Sequence, residues 1–217
     1  MKTYITRPAG MEIGLKYVAL FAAVLTLLTA FTMPAASADF KKLSLIFLDV
    51  ELTPEETSQL KDRIEANFNL TVHTEKKSSE LIAKALVEQR GQYDAAVIVA
   101  EDRIFSAQPE TYSLAFTNKD IFVAPYNFLL SHSDMPRMRT VISTYRLSIP
   151  PSANSTPAQI KIDRLYKLLL RRIGALSGLQ SDGCAMAFSN SLAELDQVPA
   201  SYCDEDAATL RGLKILK

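Results

Sequence analysis

The chain has 217 residues, 48% of them hydrophobic and 22% charged, with 24 Lys and Arg set against 24 Asp and Glu. That is material for one domain with its own core, and the even charge balance argues against a nucleic-acid binder, which would carry a basic excess. Seven glycines, none in a Gly-x-Gly-x-x-Gly or Gly-x4-Gly-Lys arrangement, exclude the common phosphate-cradling loops, and two histidines, His73 and His132, exclude any His-Glu-x-x-His zinc helix.

Lys2, Arg7 and Lys16 precede an uncharged run from Tyr17 to Phe31, followed by Met33-Pro34-Ala35-Ala36-Ser37-Ala38. Residues 1–38 therefore read as a signal peptide cut after Ala38, with Met1 or Met11 as its start, and residues 39–217 as the mature domain. About 15 apolar residues fall short of the ~20 that span a bilayer, so no stable membrane insertion is expected after cleavage. No cysteine follows the run to carry a lipid anchor. The expected location is periplasmic or secreted. Removing three basic residues and one acidic residue from 24 and 24 leaves 21 against 23, a net charge of −2 over 179 residues.

In the mature chain, Leu43 to Val50 is a nearly continuous apolar run and predicts a strand covered on both faces, in the middle of a sheet. Thr53-Pro54-Glu55-Glu56 supplies a capping Thr, a Pro at the first helical position and a Glu three residues after the cap, and Leu60, Ile64 and Phe68 then recur every four residues. That predicts an amphipathic helix. Leu70 to Thr74 reads as a second strand, Ser79 to Gln89 as a second helix ending before Gly91, and Ala95 to Ala100 as a third, wholly apolar strand. Shorter β-like pieces at Tyr112 to Thr117, Ile121 to Val123, Phe128 to Leu130 and Thr140 to Leu147 are expected to complete the sheet and its edge.

A polar linker, Ile149 to Ser155, leads to a second capping signature at Thr156-Pro157-Ala158-Gln159 and a long helix. Ile162, Leu165, Tyr166, Leu169, Ile173 and Leu176 form its apolar stripe, and the row Lys161, Arg164, Lys167 and Arg171 reads as a solvated face. The spacing predicts a single α/β domain with a mixed, mostly parallel sheet sandwiched by helices.

From Arg171 onward the chain resembles the archaemetzincins, zinc peptidases of the metzincin group. In that family a helix carries His-Glu-x-x-His-x-x-Gly-x-x-His-Cys, followed by Cys-x-Met and later by Cys-x-x-Cys. Here Gly174, Gly178 and Leu179 fit the helix pattern, Cys184-Ala185-Met186 resembles the Met-turn, and Tyr202-Cys203 resembles the start of the last cysteine pair. Upstream, Thr117 to Val123, Tyr126 to Phe128 and Val141 to Leu147 also resemble family segments, and the metzincin-like fold is what the resemblance implies. At the positions of the zinc ligands and the general base the sequence has Arg171, Arg172, Ala175 and Ser181. A guanidinium cannot become a metal ligand, and at ~4 Å it would repel Zn²⁺ by roughly 8 kcal/mol at an effective dielectric of about 20. The bland alternative makes these arginines an ordinary exposed face.

The family's second, four-thiolate site maps onto Asp182, Cys184, Cys203 and Asp206. In an exported protein Cys184 and Cys203 are read as a disulfide, with a hybrid Cys and Asp metal site or free thiols as alternatives. No catalytic, cofactor or metal site is then expected, and no cofactor; zinc belongs to the alternative that activity survives. The reading is a non-catalytic pseudo-peptidase that binds an extended peptide or a partner protein. Its rivals are a hydrolase with a relocated site, for which His132 is the base, and a structural envelope protein. Ser131-His132-Ser133-Asp134 contains triad residue types but as sequence neighbours, Glu101-Asp102 reads as a charged turn after a central strand, and His73 as a surface residue.

Overall fold

The computed structural model describes residues 40–50, 52–105, 108–147 and 157–217. The expected signal peptide, the linker and Thr156 lie outside them. No helix of the described residues is long and apolar enough to cross a membrane.

The first strand, β1 (Lys42–Leu48), is buried from Leu43 onward, as its unbroken apolar run predicts. Helix α1 (Pro54–Asn67) starts at the expected capping box: the Glu56 N–H donates to Thr53 Oγ1 at 3.1 Å and the Thr53 N–H to Glu56 Oε2 at 2.9 Å. Leu60 and Ile64 sit wholly in the core. After β2 (Thr71–Lys77) the chain runs through β3 (Leu86–Val87), β4 (Gln92–Asp94), α2 (Ala95–Val99), β5 (Thr111–Thr117), β6 (Ile121–Phe122), β7 (Ser131–Asp134) and β8 (Arg139–Ser143). The long helix α3 (Pro157–Leu176) follows, then α4 (Leu192–Gln197) and α5 (Asp204–Gly212).

The main sheet has the order β2, β1, β5, β8, β7. All its pairs are parallel except β7 with β8, which leaves an antiparallel strand on the edge. Alternation along the strands divides the core. Leu43, Leu45, Phe47, Leu114, Phe116 and Ile142 pack toward α1 and α3, while Ile46, Leu48, Ala115 and Val141 pack toward α2 on the opposite face. The mixed, mostly parallel sheet between helical layers is thus the observed architecture.

Four local expectations are corrected. Ala95 to Ala100 is a helix: the Asp94 side chain accepts from the Ala96 N–H at 2.9 Å, and Ala95, Ile98 and Val99, spaced three and four apart, are buried together. An apolar run this short satisfies a strand or a buried helical turn equally well. The strand beside β1 is β5, which is central, with Phe128 to Leu130 reduced to a single bridge between Leu129 and Ile121. Ser79 to Gln89 is a 3₁₀ turn over Ser79–Ala85 followed by β3. Ile82 and Ala85, three apart, are buried, and Gly91, at φ +62°, turns the chain from β3 into β4. The expected strand Thr140 to Leu147 stops at Ser143.

The basic row of α3 is also corrected, because it is not a solvated face. Arg164 is 2% exposed. It grips Asp196 of α4 through Nε and Nη2, both at 2.7 Å, and donates from Nη1 to the Leu147 carbonyl at 2.6 Å. Lys167 donates to the carbonyls of Leu195 and Asp196 at 3.1 and 2.8 Å, and Lys161 pairs with Glu56 of α1 at 3.0 Å.

Removing one member of a buried ion pair leaves the other without compensation, so Arg164→Leu is expected to lower unfolding stability by about 3 kcal/mol. Arg164→Lys, which keeps the charge and loses the fork, falls between it and the parent. Urea unfolding midpoints at unchanged slope measure both; an Arg164→Leu midpoint equal to the parent's would refute the anchoring role.

Candidate functional site

A cleft of ≈ 420 Å³ opens between edge strand β7, the C-terminal half of α3 and residues 188–190, with Ser131, Met135, Arg171, Arg172, Ala175 and Phe188 on its walls. Its floor is set by how α3 ends. A Cβ at Gly174 would overlap the Met186 sulfur and crowd the Tyr202 ring at 3.1 Å, so only glycine lets the helix rest on these two residues. Met186 lies in the 3₁₀ turn Cys184–Met186 and is buried, as is Tyr202, whose hydroxyl donates to the Leu170 carbonyl at 2.5 Å. Gly178, at φ +88°, then turns the chain out of the helix, with the Leu179 N–H returning to the Gly174 carbonyl at 3.0 Å. The expected Met-turn residue thus packs under Gly174 of the helix pattern, and Gly178 ends that helix one turn later.

The cleft is cationic. Arg172 is half-buried and donates to Ser131 Oγ from Nε at 3.0 Å and Nη2 at 2.6 Å, with a longer 3.5 Å contact from Nη2 to the Ser131 carbonyl. Arg171, also half-buried, lies over the Phe188 ring at 4.8 Å. Neither has a carboxylate partner among the described residues. Burial lowers the pKa of both guanidiniums, and Arg172 lowers that of Arg171 further.

Ser181, by contrast, does not line this cleft. Its hydroxyl lies 2.5 Å from Asp206 Oδ2 on α5, and Asp182 is exposed. Cys184 and Cys203 are joined by a disulfide, which ties the Met-turn to the start of α5 and leaves neither thiolate for a metal. Of the four positions equated with zinc ligands and base, the structure brings Arg171, Arg172 and Ala175 together and separates Ser181.

The Ser131 to Asp134 group does not form a triad. Strand alternation sets His132 and Asp134 on one face of β7 and both serines on the other. Glu101 follows α2 and not a strand. It is buried, in ion pairs with Lys84 at 2.5 Å and Arg103 at 2.9 Å that hold its carboxyl well below the usual carboxylate range. Asp102 pairs with Arg139, and His73 is exposed on β2. Ser131 as the seat of Arg172, and Phe188 as the lid over Arg171, carry no sequence signal, since each partner lies far away along the chain.

Burial, and then the nearby Arg172 charge, hold the His132 pKa below the ordinary histidine value, against the opposing pull of Asp94 and Asp134. The native state thus favours neutral imidazole. The stability this contributes is complete above the ordinary value near 6.5 and is lost as pH falls through the lower native value. An NMR titration of native protein should find His132 below the ordinary value, with Arg172→Gln moving it upward. A native His132 that titrates at or above 6.5 would contradict this placement.

The model of peptidase family M54 matches residues 48–212. The archaemetzincin of Archaeoglobus fulgidus is 29% identical over 136 residues, 62% of this chain and 78% of that protein. Its crystal structure, complexed with malonate, superposes with a TM-score of 0.63 at 25% identity over 77% of this chain and 99% of that one. A zinc-dependent peptidase from Methanocorpusculum labreanum shares the fold with a TM-score of 0.61 at 20% identity, over 77% of this chain and 99% of its own.

These relatives correct the expectation of no cofactor, because the family to which they belong points to zinc. The side chains present do not fit that ion: zinc takes neutral or anionic donors, whereas two guanidiniums and a methyl group face the cleft and the Ser181 hydroxyl is turned to Asp206. The family match covers most of the chain. The chain belongs to peptidase family M54.

Proposed function

We propose that this chain is an exported, peptide-binding member of its family that holds an extended peptide along β7 without hydrolysing it. The observation that carries the reading is an open sheet edge beside a cleft whose helix presents arginines and no general base. The Ser143 N–H donates to the Leu130 carbonyl at 2.9 Å. Antiparallel alternation then pairs residue 132 with β8 and turns the main-chain groups of Ser131 and Ser133 toward the open edge. An added strand gains its hydrogen bonds from such groups and needs no metal.

A second reading is favoured by the relatives: metal-dependent cleavage, as in the zinc-dependent peptidase of M. labreanum. The two separate in one experiment. The full-length chain is expressed with its N-terminal segment, recovered from the exported fraction and incubated with a mixed peptide library and added zinc. Peptides should be retained by the protein and recovered intact, and N-terminal sequencing of the same sample should begin at Asp39. Chelator-sensitive fragments would establish the peptidase reading, and no retention at all would leave a structural role. Protein still carrying residues 1–38 in the membrane fraction would refute export.

A further inference from the structure

We infer that the Arg171 and Arg172 guanidiniums form a carboxylate site that receives the free C-terminus of a peptide ending in an apolar residue. This rests on the peptide-binding reading and names the ligand class of that same cleft.

Two observations support a carboxylate. Consecutive arginines are half-buried on one wall of the cleft, and neither is neutralised among the described residues. Among the described residues Arg171 is held only by its contact with the Phe188 ring, so its donors remain for a ligand. Arg172 is fixed by Ser131 through Nε and Nη2, which leaves Nη1 unassigned and the guanidinium plane oriented in advance. A carboxylate accepts two parallel N–H groups from such a fork, in a geometry that lysine cannot offer. Binding there also relieves the repulsion between adjacent like charges that burial has removed from water.

The sheet edge supports a chain terminus over an acidic side chain. β7 turns the main-chain groups of only Ser131 and Ser133 outward, and the Arg172 Nη2 contact at 3.5 Å occupies the Ser131 carbonyl. An added strand can pair at Ser133, and its pairing stops at Ser131, where the two guanidiniums stand. The last residue of the peptide then lies against Phe188, which is 62% exposed, and against Met135, Leu168 and Ala175. Those neighbours favour an apolar side chain at the terminal position.

The test uses three synthetic peptide pools and the exported full-length protein. One pool ends in Leu, Phe or Val with a free carboxylate, the second is the same pool amidated, and the third is amidated but carries one internal Glu. The free-acid pool should bind about tenfold or more tighter than the amidated pool, as expected for a charge-assisted bidentate contact. Arg171→Gln, with its folding checked by thermal unfolding, should remove that preference. Equal binding of the first two pools overturns the carboxylate site while leaving peptide binding intact. Recovery of binding in the Glu pool overturns the assignment to the C-terminus, and no binding of any pool overturns the peptide-binding reading itself.

Discussion

A guanidinium cut off from water must find its hydrogen bonds inside the protein, and Arg164 finds them in two other segments of the chain. Asp196 fixes α4 against α3, and the Leu147 carbonyl fixes the end of the β8 segment against the same helix turn. This sets the rotation of α3 about its axis near its middle. Gly174, seated on Met186 and Tyr202, sets it again near the C-terminal end. With both points fixed, Arg171, Arg172 and Ala175 have to face β7, and the cleft follows from the way the helix is held.

The electrostatic character of the cleft is the inverse of what a metal requires. A guanidinium ~4 Å from a dication is repelled by roughly 8 kcal/mol at an effective dielectric of about 20, whereas a carboxylate at the same distance from a guanidinium is attracted to it by about 4 kcal/mol. The relatives belong to a family that points to zinc, and the cleft of this chain is lined by two guanidiniums. What lies beside the guanidiniums is an antiparallel edge strand, a helix that backs it and an apolar wall. Those features depend on packing and hydrogen bonds, so they persist when the ligand set changes.

Much of this was legible in the sequence, for identifiable reasons. The capping box at Thr53 and Glu56 is a local signature that tertiary structure has no reason to override, and the double-sided burial of β1 follows from its unbroken apolar run. Gly174, Gly178, Met186 and the cysteine pair follow the family's order, though the step from the helix to Cys184 is three residues shorter, and the structure seats Gly174 on Met186 and joins the two cysteines. The errors arose where a short apolar run admits two conformations, as at Ala95 to Ala100, or where a charge is satisfied by a distant partner. Arg164 looks solvated along its own helix. Only the position of Asp196, 32 residues away, shows that it is buried. Ser131 was visible merely as a neighbour of His132, and its role as the acceptor for Arg172 depends on a contact across 41 residues.

The most direct test of the account is amide hydrogen exchange of the full-length protein with and without a bound free-acid peptide pool, read residue by residue along β7 while the recovered peptides are weighed. The account predicts slower exchange at the outward-facing Ser133 amide, little change at His132, whose amide already pairs with β8, and peptides of unchanged mass. Unchanged exchange at Ser133 while peptide is bound, or recovery of the peptides as fragments, would contradict it.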